Sequence, residues 1–280
     1  MRPAEVVRRG AAYLDRHGVG SPEANAERLL LSVLGAGRTE VLARIEPLSP
    51  AEARAYGRAL CRRCTGTPLQ HLTGEQGFRR LVLEVRPGVF VPRPETEVVA
   101  GVALDRIAGR PAPAVVDLCT GSGTIALAIA DERRDARVWA TDLAPEAVDL
   151  ARANAARLGL AVDVRRGDLF EPLPAALRGS LDLVVANPPY VASEAAAELP
   201  AEVRADPPLA VFGGPELAGR IARAARPWLR PGGALVLEIE ASAGAAVRRL
   251  AADAGYADVA VRSDLTGRDR VLSATWPDGA

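Results

Sequence analysis

"VVDLCTGSGTIALAIA", Val115 to Ala130, has the pattern of a buried strand, a glycine-rich turn and the start of a helix. Gly121 and Gly123 form the turn, because glycine adopts backbone conformations that other residues avoid. The N-terminus of the helix that follows favours polar or negatively charged ligand groups. The spacing from Gly121 to Ala126 also fits the G-x-G-x-x-A form of the dinucleotide fingerprint, so the stretch indicates a cofactor loop without choosing the cofactor.

Apolar, strand-like runs alternate with alanine-rich helical runs from Glu95 onward. Strand and helix in succession predict an α/β fold, with a mostly parallel sheet covered by helices on both faces. The last two strand candidates, "ADVAVRSDL" and "RVLSATW", are joined by Thr266 and Gly267. They predict that the sheet ends in an antiparallel hairpin at one edge.

Residues 1–73 have the pattern of short helices. One helix is expected between Ser21 as N-cap and Gly35 as stop, and another begins at a capping box of Ser49 and Glu52. A helical domain of this size is too small to be an enzyme alone. We therefore expect it to recognise the substrate.

Residues 74–94 alternate between apolar and polar side chains, as in "LVLEVRPGVFVP". Arg86, Pro87 and Gly88 are turn residues between two short strand candidates. This segment is therefore expected to be a β-hairpin linker, and residues 95–280 the cofactor-binding domain.

The composition indicates a globular chain without a strong preference for polyanions. Of its 280 residues, 49% are hydrophobic, and 35 basic side chains balance 35 acidic ones. Zero net charge provides no global field that would attract nucleic acid. No apolar run approaches the roughly 20 residues of a membrane helix and the N-terminus has no hydrophobic signal core, so we expect a cytoplasmic protein.

The cysteines and histidines do not form a recognisable metal pattern. Three cysteines are too few, and odd in number, for a disulfide framework. Cys61 and Cys64 form a C-x-x-C pair, but a zinc site would need two more ligands. The only histidines, His17 and His71, lack metal-type spacing, so no metal is expected.

Acidic residues close the two strand candidates that follow the glycine loop. Asp142 stands where a carboxylate can bind both ribose hydroxyls, which suits NAD and S-adenosylmethionine alike. Asp168, beside Leu169 and Phe170, suits an adenine amino group and its ring. With Asp117 these make three acids, and they favour the methyl donor, because its ammonium and sulfonium attract carboxylates whereas a pyrophosphate repels them.

Asn187-Pro188-Pro189-Tyr190 follows the fourth strand candidate, on the side of the sheet where ligands bind in such folds. The Asn187 side chain and the Pro188 carbonyl can accept both hydrogens of a planar NH2 group. Two such acceptors bias a conjugated nitrogen towards the geometry for attack on a methyl group, and Tyr190 can cover the flat group. Asn187, Pro188 and Tyr190 are the expected catalytic residues, and with Pro189 they form the expected substrate-binding loop.

Together, the glycine loop, the strand-end acids and N-P-P-Y predict a methyltransferase. The loop alone does not separate a glutamine amide from the exocyclic amines of adenine, cytosine or guanine. The expected donor-binding residues are Asp117, Thr120, Gly121, Gly123, Asp142, Leu143, Asp168, Leu169, Phe170 and Asn187.

Further segments extend this pattern beyond the catalytic loop: "GTPLQHLTGEQGF" from Gly66, "VFVPRPETEVV" from Val89 and "LTGRDRVL" from Leu265. With them the chain resembles the release-factor glutamine methyltransferases, the PrmC/HemK family, over nearly its whole length. P-R-P-E-T-E is the most family-specific segment. The resemblance implies a class I S-adenosylmethionine-dependent methyltransferase domain, Rossmann-like, preceded by an N-terminal helical domain and a hairpin linker.

The resemblance also implies the reaction. The substrate is the glutamine of the Gly-Gly-Gln motif in class 1 peptide chain release factors, and its side-chain amide nitrogen is methylated by S-adenosyl-L-methionine, which leaves S-adenosyl-L-homocysteine. Arg93, Glu95 and Thr96 would lie near donor or substrate without assigned roles. The implied contacts are Asn187 and Pro188 with the amide, Tyr190 beside it, Asp142 with the ribose, Asp168 and Phe170 at the adenine and Gly121 along the methionine part.

Several alternatives stay open at this point. A paralogue would methylate another protein amide, and a nucleic-acid methyltransferase would use the same loop on a base amine. An NAD-dependent oxidoreductase fits the glycine loop but not N-P-P-Y, and a silent binding protein would hold the donor without transfer. We expect a monomer with a release factor as partner and with neither a membrane nor a nucleic acid.

Overall fold

A computed structural model describes residues 1–192, 199 and 201–277. The described chain divides into two compact units. One contains Met1–Glu75 and 201–205, and the other contains 76–192, 199 and 206–277. Among the described residues, no helix is both long and apolar enough to cross a membrane.

The first unit is helical, as its sequence pattern predicts. Tyr56 crosses its core and donates a hydrogen bond of 3.1 Å from its hydroxyl to the Ala26 carbonyl. Gly10 permits this, because a Cβ there would lie 2.1 Å from the Tyr56 hydroxyl oxygen. Numbered along the chain, the helices of this unit are α1 (Pro3–Arg16), α2 (Pro22–Leu34), α3 (Arg38–Ala43), α4 (Pro50–Cys64), α5 (Leu69–Thr73) and α9 (Ala201–Arg204).

Both predicted helix starts in this unit are confirmed. The capping box is confirmed: the Ser49 hydroxyl accepts from the Glu52 amide, and the Glu52 carboxylate accepts from the Ser49 amide over 2.7 Å. Ser21 is the N-cap of α2 and Gly35 its C-cap, as predicted, although the Ser21 backbone is left-handed at φ 49° and its side chain makes no capping hydrogen bond to a described residue. The Asn25 side-chain amide donates to the Ser21 carbonyl over 3.1 Å.

The hairpin between residues 74 and 94 lies earlier than the sequence predicts. Its strands are β1 (Glu75–Phe78) and β2 (Leu81–Glu84), which pair as a two-stranded sheet. Pro87 and Gly88 do form a turn, with the Val89 amide donating to the Arg86 carbonyl, but no strand follows it. The predicted second strand is wrong, because the Val91 amide binds the Asp206 carboxylate rather than a strand partner.

The second unit is built on a sheet of seven strands among the described residues, in the order β5-β4-β3-β6-β7-β9-β8. Neighbours from β5 to β7 are parallel, and β9 is antiparallel to both β7 and β8. This confirms the mostly parallel sheet and its antiparallel hairpin at one edge. The strands are β3 (Ala114–Leu118), β4 (Arg137–Asp142), β5 (Val162–Arg166), β6 (Leu181–Ala186), β7 (Leu229–Glu238), β8 (Ala257–Ser263) and β9 (Asp269–Thr275).

Helices cover both faces of this sheet. On β3, Val115 packs in one buried cluster with Ile129, whereas its neighbour Val116 packs in another with Ile221. Burial on both faces explains the continuous apolar runs of the central strands. The helices of this unit are α6 (Thr96–Ile107), α7 (Thr124–Glu132), α8 (Pro145–Leu158), α10 (Pro208–Val211), α11 (Gly214–Ala225) and α12 (Gly244–Asp253).

The strand order reverses between β3 and β6. From β3 the chain builds one half of the sheet through β4 and β5, and from β6 it builds the other half. A crevice outside the carboxyl ends of two such strands is where ligands bind in open α/β sheets. Leu118 pairs with Ala186, so the glycine loop and the N-P-P-Y loop leave the sheet side by side.

Candidate active site

The loop after β3 is a tight turn held against β4. The Thr120 amide donates to the Thr141 carbonyl over 3.1 Å, and the Gly123 amide donates to the Thr120 carbonyl over 2.9 Å. Gly121 and Gly123 have left-handed backbones, with φ at 58° and 86°. Cys119 is also left-handed at φ 56°, a strained conformation that clusters at functional sites in proteins.

Asp117 uses only one of its oxygens within the described chain. Its Oδ2 atom accepts from the Thr120 hydroxyl over 2.6 Å and from the Ala126 amide in the first turn of α7 over 3.1 Å. Its Oδ1 atom is buried and has no hydrogen-bond partner among the described residues. Burial raises the pKa of this carboxyl to about 7, against the lowering effect of these two hydrogen bonds. An unpartnered buried carboxylate oxygen fits a ligand that brings a positive charge.

Asp142 ends β4 and organises both neighbouring loops. Its carboxylate accepts from the Gly121 amide over 2.9 Å and from the Ala144 amide over 3.0 Å. Because each carboxylate oxygen can accept two hydrogen bonds, Asp142 can still accept one from a hydroxyl. Leu143, next to it, is 51% exposed, which leaves an apolar surface beside the acid.

Asp168 and the two residues after it follow the end of β5. The Asp168 carboxylate is partly exposed and pairs with the Arg220 guanidinium. Leu169 is buried with a left-handed backbone at φ 48°. Phe170 is buried too, and its ring stacks on Trp228 at a centroid distance of 5.3 Å. One face of Phe170 is therefore occupied by the protein itself.

The three acids lie around the same point at the end of β3. Besides burial, the negative charges of Asp142, Asp117 and Asp168 each raise the pKa of the Cys119 thiol. A site with this charge favours a cation over a pyrophosphate. Among the described residues, no group of three or more histidine, cysteine or acidic side chains has the arrangement of a metal site.

Asn187 belongs to a hydrogen-bonded chain of side chains at the end of β6. Its Nδ2 atom donates to the Thr96 hydroxyl over 3.2 Å, and that hydroxyl donates to Glu238 Oε2 over 2.8 Å. The Tyr190 hydroxyl donates to the other oxygen of Glu238 over 3.4 Å. Because its NH2 group is turned towards Thr96, Asn187 keeps its Oδ1 atom as an acceptor for a ligand.

Burial raises the pKa of both titratable groups in this chain of hydrogen bonds, Glu238 and Tyr190. It raises the pKa of Glu238 to about 7, while the hydrogen bond from Thr96 and the charge of Arg270 lower it. Burial raises the pKa of Tyr190 as well, and the charge of Glu238 adds to that shift. The phenol therefore stays protonated and acts as a donor towards the carboxylate.

Backbone hydrogen bonds join the residue after the N-P-P-Y loop to the segment 211–213. The Val191 amide donates to the Val211 carbonyl, and the Gly213 amide returns a hydrogen bond to the Val191 carbonyl, each over 3.1 Å. A Cβ at Gly213 would lie 2.3 Å from the Pro189 carbonyl oxygen. Only glycine lets these two backbones approach so closely.

Two residues of the P-R-P-E-T-E segment, Arg93 and Thr96, contact residues far along the chain. Arg93 pairs with Asp206, which also accepts from the Val91 amide. Thr96 bridges Asn187 and Glu238. Sequence reasoning missed Glu238 altogether, although an acid at the end of the apolar run "ALVLEIE" was a usable signal for it.

The functional residues predicted from the sequence thus occupy one edge of the sheet, at the ends of β3, β4, β5 and β6. Asp117, Asp142 and Asp168 lie near the glycine loop, and Glu238 accepts from Tyr190 directly and is linked to Asn187 through Thr96. Direct contacts of any of them with donor or substrate stay predictions. The unpartnered Asp117 oxygen, the spare acceptors of Asp142 and the exposed Leu143 fit a cationic nucleoside.

Two family models match successive parts of the chain. The PrmC N-terminal domain matches residues 5–74, and the methyltransferase small domain matches residues 81–260. The second match covers more than half of the chain and includes the glycine loop and N-P-P-Y. The protein is therefore a methyltransferase with the helical domain of this family.

Individual relatives agree with both matches. The release factor glutamine methyltransferase of Moorella thermoacetica is 44% identical over 278 residues, covering 96% of this chain and 95% of that protein. That of Mycolicibacterium smegmatis is 41% identical and covers 96% of each. A solved methyltransferase structure from Pyrococcus furiosus shares the fold at a TM-score of 0.52 and 19% identity, over 70% of this chain and 88% of that one. The chain belongs to the release factor glutamine methyltransferase family.

Proposed function

We propose that this enzyme methylates the side-chain amide nitrogen of the glutamine in the Gly-Gly-Gln motif of class 1 peptide chain release factors. The observation that carries the proposal is the orientation of Asn187, whose Nδ2 atom donates to the Thr96 hydroxyl and whose Oδ1 atom is left as an acceptor. An amide NH2 needs acceptors, so this orientation suits a glutamine side chain. The names of the relatives support a release factor as the protein that carries it.

In this proposal, Asn187 Oδ1 and the Pro188 carbonyl each accept one hydrogen of the glutamine amide. The nitrogen lone pair of an amide is delocalised, so the amide is a poor nucleophile until its geometry is fixed. Acceptors on both hydrogens hold the group in one plane and aim the nitrogen, and positioning of this kind supplies much of a rate enhancement. Tyr190 packs beside the amide and is itself held by Glu238.

The donor is proposed to be S-adenosyl-L-methionine, bound along the glycine loop. Asp117 Oδ1 would receive its ammonium, Asp142 its ribose hydroxyls, and Leu143 and Asp168 its adenine. When bound, it supplies a methyl group already activated on a sulfonium. The glutamine nitrogen forms a bond to that carbon as the carbon–sulfur bond breaks, and an N–H proton of the glutamine then leaves to water, so no general base is required.

The proposed setting follows from the proposed substrate. Release factors act on the ribosome, so we propose a cytoplasmic enzyme that acts as a monomer on a protein partner. Transfer to another protein amide, or to an exocyclic amine of a nucleic-acid base, is the alternative that shares this loop. No observation of the described residues favours the alternative over the release factor.

The proposal is tested by methyl transfer to a defined position. Purified enzyme is incubated with labelled S-adenosylmethionine and a class 1 release factor, either wild type or with the Gly-Gly-Gln glutamine changed to glutamate, and the product is digested and mapped by mass spectrometry. We expect label on that glutamine alone and none on the changed factor. Equal label on both factors, or label on RNA in place of protein, would refute the proposed substrate.

A further inference from the structure

Thr96 connects Asn187 to the acid Glu238, and the direction in which its hydroxyl donates determines the direction of this chain of hydrogen bonds. A hydroxyl has one hydrogen to donate, and an ionised carboxylate can only accept. The Thr96 hydrogen therefore goes to Glu238 Oε2 at 2.8 Å, and a lone pair of the same oxygen accepts from Asn187 Nδ2 at 3.2 Å. If the Thr96 hydroxyl donated to Asn187 instead, the Asn187 side chain would turn its NH2 group rather than its oxygen towards the substrate.

Glu238 holds both sides of the N-P-P-Y loop at once. One oxygen accepts from Thr96, which fixes Asn187, and the other accepts from Tyr190 over 3.4 Å. Thr96 and Glu238 are 3% and 2% exposed, so water does not compete for these hydrogen bonds. A buried acid is costly to a fold unless it is well paired, and residues 234–237, directly before it on β7, are all hydrophobic. Packing alone does not account for a carboxylate at this position.

We propose that Glu238 and Thr96 are positioning residues of the methyl-transfer site: through the Thr96 hydroxyl, the Glu238 carboxylate locks the Asn187 side chain with its oxygen towards the substrate amide. This inference rests on the proposed function, since it assigns a purpose to the Asn187 oxygen. It also gives Thr96 of the P-R-P-E-T-E segment a role that its sequence alone does not show. Neither residue needs to touch the donor or the glutamine.

The charge on Glu238 sets the pH range in which the lock holds. The charged and titratable groups that face it are Glu95 on the segment before α6, Tyr190 after β6 and Arg270 on β9. The pKa of Glu238 is raised to about 7, mainly by burial, so it is protonated below neutral pH. A protonated carboxyl can donate to Thr96, which frees the Thr96 hydrogen for Asn187 Oδ1 and inverts the chain. Methyl transfer should therefore rise with pH through about 7.

The experiment compares Thr96→Val, Thr96→Ser and Glu238→Gln with the wild-type enzyme. The valine variant keeps the shape of threonine and removes its hydroxyl, whereas the serine variant keeps the hydroxyl. We expect Thr96→Val to lower kcat about tenfold or more, with donor Kd changed by less than about threefold, because misplacement of a reacting group costs rate rather than donor binding. Thr96→Ser should recover most of the lost rate, and Glu238→Gln should abolish the rise of kcat through neutral pH.

In the kinetic comparison, the inference would be overturned by a Thr96→Val enzyme with wild-type kcat, or by a Thr96→Ser enzyme no more active than Thr96→Val. A purely structural role for the hydroxyl would lower the melting temperature and donor affinity together, so both are measured on each variant. Such a parallel loss, with kcat unchanged for the folded fraction, would also count against positioning.

A measurement without substrate separates this inference from the proposed function. In nuclear magnetic resonance spectra of the wild-type protein, the Asn187 side-chain amide, assigned with an Asn187→Asp variant, should show one hydrogen protected from exchange with water. Thr96→Val should remove the protection and Thr96→Ser should keep it. Protection unaffected by Thr96→Val would refute the lock, whereas absence of methyl on the release factor with the protection intact would refute only the proposed substrate.

Discussion

The side-chain amide of Asn187 donates to the Thr96 hydroxyl over 3.2 Å, although 91 positions separate the two residues in the chain. This contact joins the N-P-P-Y loop to the start of α6 and leaves the Asn187 oxygen as a ligand acceptor. In the proposed reaction, the substrate acceptor is therefore oriented before any ligand arrives, which is the condition under which hydrogen bonds contribute most to catalysis.

Removal of the Asn187 side chain should separate transfer from donor binding. We expect Asn187→Ala to lower kcat about a hundredfold or more, as loss of a preorganised hydrogen bond does, with donor Kd within a few-fold of wild type. Single-turnover transfer and calorimetric titration of S-adenosylmethionine measure the two quantities. A loss of only about twofold in kcat would mean that the loop is structural.

Asp117 should make donor binding pH-dependent. Its carboxyl has a pKa raised to about 7, mainly by burial, so in the free protein it is half protonated near neutral pH. A cationic donor prefers the ionised form, so affinity should rise as pH increases towards 7 and level off above it, at up to about tenfold per unit below the pKa. Titrations between pH 5.5 and 7.5, in two buffers of different ionisation enthalpy, should also detect proton release on binding.

The matched control for that experiment is Asp117→Asn. The asparagine variant should bind the donor more weakly, and its affinity should lose the pH dependence because no titrating carboxyl remains. If donor affinity changed equally with pH in the wild type and in Asp117→Asn, a group other than Asp117 would be responsible for the pH dependence. Affinity that is flat with pH in the wild type would contradict the placement of a positive charge at Asp117 Oδ1.

Gly213→Ala should distort the N-P-P-Y loop although Gly213 is not one of the proposed site residues. The added Cβ would lie 2.3 Å from the Pro189 carbonyl oxygen, so the loop or the segment 211–213 must shift. We expect a fall in kcat with little change in donor affinity, and a loss of about 1–3 kcal/mol in stability, as for overpacked sites. Gly109→Ala, where no described atom lies within 4 Å of the new Cβ, is the control and should behave like wild type.

Two glycines of the helical unit should respond in opposite directions to alanine. Gly57 lies within α4 and has open space around a Cβ, so Gly57→Ala should stabilise the protein by about 1 kcal/mol through helix propensity. Gly10→Ala should destabilise it by about 1–3 kcal/mol, because the methyl group displaces Tyr56 from the Ala26 carbonyl. Urea unfolding of both variants measures the difference, and equal effects would contradict the packing of Tyr56.

Local features of this fold were predictable from the sequence because they depend on residues close together in the chain. Ser49 and Glu52 are three positions apart, and their capping box is present as predicted. The strand, turn and helix around Gly121 also occupy the predicted places. Ser21 is the N-cap of α2 as predicted too, but its left-handed backbone was not part of the prediction.

Features that depend on distant partners were beyond this reasoning. The alternation after Gly88 looked like a strand, but the Val91 amide is bound by Asp206, which lies far along the chain. Likewise, no pattern links Thr96, Asn187 and Glu238, which meet only because α6, β6 and β7 converge at one sheet edge. The residue types of the site were predictable, whereas their hydrogen-bond directions required the structure.

The central claim is that Asn187 Oδ1 and the Pro188 carbonyl accept the two hydrogens of a glutamine amide. A crystal structure of the enzyme with S-adenosylhomocysteine and a Gly-Gly-Gln peptide, at about 1.2 Å or better so that amide hydrogens are visible, tests it most directly. We predict both oxygens at about 2.9 Å from the glutamine nitrogen, with Asn187 Nδ2 still donating to Thr96. A glutamine bound elsewhere, or Asn187 Nδ2 turned towards it, would contradict the account.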